Sequence, residues 1–382
     1  QNHGECMATI RFESAGLDKT SIMQWIQEEE LDGILLTSPE NVFYTTGYPC
    51  LPGSGNPIIY GLRNQVPFYV FIDRRGMVTL LCWMGATWGG VEYGVDEVRT
   101  FFTFEMSQMI LSKFLKEKLP ELHRIGIEST CPYYVLQLIN ELTSDVSYTV
   151  VDQLINALRL VKSEEEIARI RTSTNIVDQT VTELFDILHV GMSRLDLLQE
   201  AKARTLKNGG HAVDHVTIAF GTANPEVAIG ELLEKDQIVT LDLGAVYEGY
   251  VSDNRKLAYS GPLPRDLIEL HAKLCGIVEE VGQALRPGKT FAEMHQLAKS
   301  CYAKEELSPM FLHVGHSMGI QVDEAWLLGN NQTPIQEGMV LNIELYSRYP
   351  PGVMIGNEET YVVREHGPEC LTTLPPQIVS IV

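Results

Sequence analysis

The chain has 382 residues, 45% hydrophobic and 21% charged, a composition that builds packed cores and excludes a disordered polymer. Fifty acidic against 29 basic residues leave a net charge of −21; such a field repels phosphate backbones, so nucleic acid is not an expected partner. No stretch approaches the ~20 apolar residues of a membrane span, and the opening QNHGECMATIRFES holds no signal-peptide core. Seven cysteines without a CxxC pair suit free thiols in a reducing cytoplasm.

At ~100–200 residues per domain, this length predicts two domains. In chain order, DKTSIMQWIQEEELDG predicts an amphipathic helix with Ile22, Trp25 and Ile26 on one side, ending near Gly33. GILLTS follows as a buried strand, and Pro39-Glu40-Asn41 as a turn. VPFYVFID and MVTLLCW read as a hairpin about Asp73-Arg74-Arg75-Gly76, RIGIES as a short strand and YYVLQLINELTS as a helix. These make a smaller α/β domain over residues 1–158.

From 159 to 382 the pattern changes. Ile167, Ile170, Val177, Val181, Leu184 and Leu188 recur at helical spacing, Ser163 and Glu166 form a capping box, and Gly191 marks the stop. Ser193 is expected to cap a second helix running to Leu206. HVTIAFG and QIVTLDLGAVYEGYVSDNRKLAYSG read as strands, residues 265–285 and 290–304 as helices, and MVLNIELYS and NEETYVVRE as closing strands. Helices followed by a sheet predict an α+β second domain. No repeat of short period is visible.

Five residues stand where apolar strands should not hold them. Asp242 lies in IVTLDLGA, Asp253 in GYVSDNRK, His316 in HVGHSMGI, Glu344 in MVLNIELY, and Glu358 opens a strand. An isolated carboxylate in low dielectric must be neutralised, paired or bound to a metal. Four carboxylates cannot all pair with one another. This oxygen-rich set with one nitrogen suits Mn²⁺, Fe²⁺, Co²⁺ or Zn²⁺.

The ordered set Asp242, Asp253, His316, Glu344, Glu358 resembles the dinuclear site of the pita-bread metallopeptidases, among them methionine aminopeptidase, aminopeptidase P and prolidase, with creatinase as a metal-free relative. The matching blocks are LDLGAVYEGYVSDNRK, GHSMGIQVDE, EGMVLNIE and EETYVVREHG, with weaker likeness in KSEEEIARIR and NVFYTTGY. The resemblance implies a pita-bread fold for the second domain, two divalent ions and a homodimer. It also implies that Asp242 and Glu358 bridge or chelate both ions, Asp253 holds one, and His316 with Glu344 holds the other. Glu344 would shuttle the proton of a metal-activated water.

Three positions depart from the family pattern. Pro225-Glu226 stands where a PH pair is usual, Asp323 replaces a histidine seven residues after His316, and Gly356 replaces an arginine. Glu226 and Asp323 add negative charge to the pocket, and the loss of arginine removes a positive group. These changes predict a branch outside the peptidases, hydrolysing a C–N bond in a small cationic or zwitterionic metabolite, with Asp323 against its cation. The alternatives are an Xaa-Pro dipeptidase or aminopeptidase, and a lyase of the dimethylsulfoniopropionate-cleaving type. His211 and His215, placed before the HVTIAFG strand, are candidates for the missing catalytic histidine. His313 either lines the pocket or makes a structural hydrogen bond, and Arg255 is expected to bind a ligand carboxylate or substrate. His189, His271 and His295 read as surface or core residues on helices.

Overall fold

Strand alternation sets the first unit. In the computed structural model, which describes residues 10–227, 230–350 and 352–381, Ile34 and Leu36 join one core while Leu35 joins another. Cys6 and the segment before Met7 lie outside the described residues; the six described cysteines are free thiols. The chain divides into two units, Gln1–Arg159 and Leu160–Val382.

In the first unit, six strands lie in the order Glu97–Phe101, Val78–Trp83, Tyr69–Asp73, Gly33–Leu36, Arg124–Ile127 and Ser147–Val150. Tyr69–Asp73 pairs antiparallel with both of its neighbours, and the outer pairs are parallel. Helices cover both faces, with Ile22 and Ile26 on one and Phe114 and Ile139 on the other. Two expectations need correction here. The first helix is Lys19–Glu28, and Glu30, at φ 53°, turns the chain before Gly33 begins its strand. Pro39-Glu40-Asn41 is not a turn but the start of a helix, Pro39–Thr46, capped by Ser38 and closed by left-handed Gly47 at φ 72°. Proline lacks the N–H that a first helical turn leaves unpaired, so the residue read as a breaker is an initiator.

The second unit repeats one order of elements twice. Two helices, Glu164–Ile187 and Arg194–Lys207, precede the strands Ala212–Phe220, Ile238–Tyr247 and Asn254–Tyr259. Two more, Arg265–Gln283 and Phe291–Lys304, precede Gly315–Ser317, Val340–Tyr349 and Val353–Val362. Capping boxes open the first helix of one half (Ser163 with Glu166) and the second helix of the other (Thr290 with Glu293). The first of these helices stops at Ile187, so Gly191 and the exposed His189 fall in the following turn. Ser193 sits at its cap position, but among the described residues its hydroxyl accepts no capping hydrogen bond.

Each helix pair packs on its own sheet. Val239, Leu241 and Leu243 face Val177, Val181 and Leu197, while Leu341, Ile343 and Leu345 face Leu274, Ile277 and Phe291. The period of two therefore sends Asp242 and Gly244, and likewise Asn342, Glu344 and Tyr346, to the face turned away from the helices. A one-residue slip would expose apolar side chains worth about 1.5–3 kcal/mol each. That cost fixes the register of the acids. The sheets meet where the Lys256 ammonium donates to the Glu358 carbonyl (3.4 Å) and to Glu359 (3.2 Å).

His271, on the Arg265–Gln283 helix, is buried. Burial first, then Lys256, pushes its pKa down from 6.5 to about 4. The unfolded chain takes up a proton below pH 6.5 that the folded chain refuses, so stability falls as pH drops from 6.5 toward 4. This one residue contributes a loss of about 3 kcal/mol across that window. In urea titrations His271→Leu should lose correspondingly less stability than the wild type between pH 6.5 and 4.

Candidate metal centre

Two strand pairs and the loop between two strands bring the acids together. Asp242 lies mid-strand in Ile238–Tyr247, whose chain turns back tightly at Glu248 and Gly249 (φ 47° and 85°). Asp253 follows between Tyr250–Val251 and Asn254–Tyr259. The next residue, Asn254, donates to buried Asp178, which also accepts from Thr373 N (2.7 Å) and Leu374 N (3.1 Å). Glu344 and Glu358 face each other across one antiparallel pair. Glu358 does not open its strand, as expected, but sits in its middle.

Around these acids the contacts are close. His316 Nε2 lies 3.3 Å from Asp253 Oδ2 and 3.7 Å from Glu344 Oε1. His313 Nδ1 is 3.1 Å from Glu344 Oε1, and the Tyr346 hydroxyl donates to Glu344 Oε2 at 2.6 Å. Arg255 donates to Asp242 Oδ2, and its guanidinium lies over the Tyr346 ring, 4.6 Å from the centroid. Trp326 packs on His313 and His316, with ring centres 4.5 and 5.3 Å away.

The electrostatics require positive charge. Glu358 is buried, and among the described residues its Oε1 has no hydrogen-bond partner. Burial first, then Asp253 and Asp242, push its carboxyl well above the usual range. Burial acts on Asp253 the same way, but His215 and His316 outweigh it and hold this carboxyl low. Against burial, Asp253, Glu344 and Asp323 raise His316 to about 9. Asp323 is raised, by burial first and then by Asp253 and Glu344. An orphaned oxygen among like charges is the environment a divalent cation relieves, and carboxylates with imidazole fit Mn²⁺, Fe²⁺, Co²⁺ or Zn²⁺.

Of the other candidates, Asp323 reaches the cluster, its Oδ1 being 3.5 Å from His316 Nδ1. Glu226 does not: it is exposed on its loop, with its N–H donating to Asn224 Oδ1. His211 packs on Tyr247 and accepts from Glu248 N. His215 was expected ahead of its strand, yet it lies within Ala212–Phe220, with Nε2 3.2 Å from Asp242 and 3.3 Å from Asp253. Tyr346 and Trp326 escaped the sequence reading. Tyr346 was legible only as the residue two beyond Glu344, hence on its face. Gly356 pairs with Tyr346 across the strands, and a Cβ there would overlap the tyrosine ring. The place of the expected arginine is filled from the opposite strand.

The family model described as Metallopeptidase family M24 matches residues 168–365, and that of the Creatinase/Prolidase N-terminal domain matches residues 20–161. The chain is 24% identical over 372 residues to the Xaa-Pro dipeptidase of Pyrococcus horikoshii, covering 94% of this chain and 97% of that one. It is 26% identical over 366 residues to the Xaa-Pro dipeptidase of Pyrococcus furiosus, covering 92% and 96%. The prolidase structure from Pyrococcus horikoshii superposes with a TM-score of 0.80 at 22% identity, over 94% of this chain and 99% of the other. The expectation of a branch outside the peptidases gains no support from these relatives.

If cations relieve the carboxylates, they bind the folded chain and stabilise it by mass action. Adding Mn²⁺, Co²⁺ or Zn²⁺ after chelation should raise the melting temperature in scanning fluorimetry, by about 2.7 kcal/mol of stability at a hundred times Kd. Asp253→Ala should abolish the shift.

Proposed function

The chain belongs to metallopeptidase family M24, and we propose that it hydrolyses a C–N amide bond in a small zwitterionic substrate, first of all an Xaa-Pro dipeptide. The observation that carries hydrolysis at this site is the orphaned Glu358 oxygen beside Asp242 and Asp253. The dipeptide is supported by relatives of that name matching over nearly the whole chain. Asp242, Asp253, His316, Glu344 and Glu358 are the residues that would hold two divalent ions. When bound, such ions would lower the pKa of a water toward ~7 and polarise the scissile carbonyl.

The rest falls to the protein. Glu344 accepts the water's proton at Oε1 and returns it to the departing nitrogen. Tyr346 fixes the other oxygen of that carboxylate, so the proton has one place to go. Arg255 neutralises and orients Asp242. Trp326, packed on both histidines, restricts water around them. A second reading, a small cationic metabolite in place of a dipeptide, is favoured by Asp323, whose carboxylate sits where a histidine is usual and within 3.5 Å of His316. The homodimer implied by the family resemblance belongs to this proposal; light scattering at micromolar concentration should return twice 42.7 kDa.

With Mn²⁺, Co²⁺ or Zn²⁺ supplied, Gly-Pro and Ala-Pro should be cleaved, and Glu344→Gln should lower kcat by at least ~10²-fold. No cleavage of either dipeptide, with turnover of a cationic amide abolished by Asp323→Asn, would decide for the second reading.

A further inference from the structure

The two halves of the second unit can be laid over one another by element order. In the second half the short first strand carries His316, and the two long strands after it carry Glu344 and Glu358. In the first half the middle strand carries Asp242, and Asp253 immediately precedes the last. The first strand of that half carries His215. Each histidine pairs, across its strand, with the residue two positions from the carboxylate: His215 with Gly244, His316 with Asn342.

We propose that His215 is a sixth ligand, donating Nε2 to the cation on the Asp242–Asp253 side, so that each of two ions receives one imidazole. This rests on reading the site as a two-cation centre. Three observations carry it independently of the repeat. First, Nε2 is 3.2 Å from Asp242 Oδ1 and 3.3 Å from Asp253 Oδ1, and one ligand atom from each of these residues lies within 4.8 Å of the others. Ligands about 2.1 Å from one ion and roughly 90–110° apart stand about 3.0–3.4 Å from each other. Second, His215 Nδ1 is 2.9 Å from Asp214 Oδ2. A carboxylate on Nδ1 keeps the proton there and leaves the Nε2 lone pair for a metal.

Third, the backbone makes room for the ring. The strand pairing shifts between Gly244 and Ala245, so that Gly244 faces His215 while Ala245 faces Val213 and Asp214 is left as the extra residue. Such a bulge re-aims the side chains beside it. A Cβ on Gly244 would meet the His215 Cε1 and Nδ1 atoms at 2.5 Å. The glycine is a space kept for an imidazole. Adding nitrogen moves the preference of this position toward Zn²⁺, Co²⁺ and Fe²⁺, and away from Mg²⁺ and Ca²⁺.

The test is metal binding, read apart from turnover. Apo protein is titrated with Co²⁺ by calorimetry, with elemental analysis of bound metal, in the wild type, His215→Ala and Asp253→Ala. The wild type should take two ions per chain. His215→Ala should keep one and bind the other at least ~10-fold more weakly, and Asp253→Ala, which removes a carboxylate from that same ion, should weaken it too. Zinc-edge X-ray absorption of the loaded wild type needs no variant: imidazole scattering should correspond to one histidine per zinc, against one per two zincs if His316 binds alone. Two-site binding that His215→Ala leaves within twofold, or half a histidine per zinc, overturns the inference while the two-cation reading stands. A wild type that binds no Co²⁺ overturns both.

Discussion

Four carboxylates share one buried space, and their mutual repulsion governs the second unit. Two like charges 4 Å apart at an effective dielectric constant of 20 repel by about 4 kcal/mol, so Asp242, Asp253, Glu344 and Glu358 cannot all stay ionised without positive partners. Arg255 provides one, and His215, His313 and His316 each place a ring nitrogen within 3.1–3.3 Å of a carboxylate oxygen. Glu358 receives the least: among the described residues one oxygen has only Asn342 Nδ2, at 3.5 Å, and the other has no partner. The four helices supply what repulsion would otherwise undo. Their apolar contacts hold the strand register, and the register holds the acids in place.

Much of this is legible in the sequence because charge in an apolar strand is conspicuous. Asp242 follows four residues with no polar function beyond a threonine, and Glu344 interrupts a run of strand formers, so both announce an inward-facing acid. The capping boxes at Ser163 and Thr290 are equally local, two side chains closing on two backbone groups. What escapes is whatever depends on a partner distant in the chain. Ser38 and Pro39 start a helix whose first turn is held by Glu128, which accepts from Ser38 N (2.9 Å) and Asn41 Nδ2 (2.7 Å), although a proline with an asparagine two residues on also describes a turn. The bulge beside Asp214 is a mismatch between two strands, invisible in either alone.

Glycines carry information of the opposite kind. Gly244 and Gly356 look like absences in the sequence, one in an otherwise bulky strand and the other in place of an arginine. Both are occupied positions in the structure, one by the His215 ring and the other by Tyr346. The fold is shared with prolidases at a TM-score of 0.80, yet a fold hosts more than one chemistry. The side chains in these small volumes, with Asp323 beside His316, shape this chain's pocket.

The Gly356–Tyr346 pair has a consequence for descent. A large residue on one strand and none on the other form a single filled volume, so the two positions change as a unit. An arginine arriving at 356 first would drive into the tyrosine ring, and a small residue arriving at 346 first would leave a void beside Glu344, with Arg255 deprived of its aromatic face. Either order passes through a damaged intermediate. A single substitution at either position therefore comes at a loss, and only a paired exchange of both would keep the volume filled.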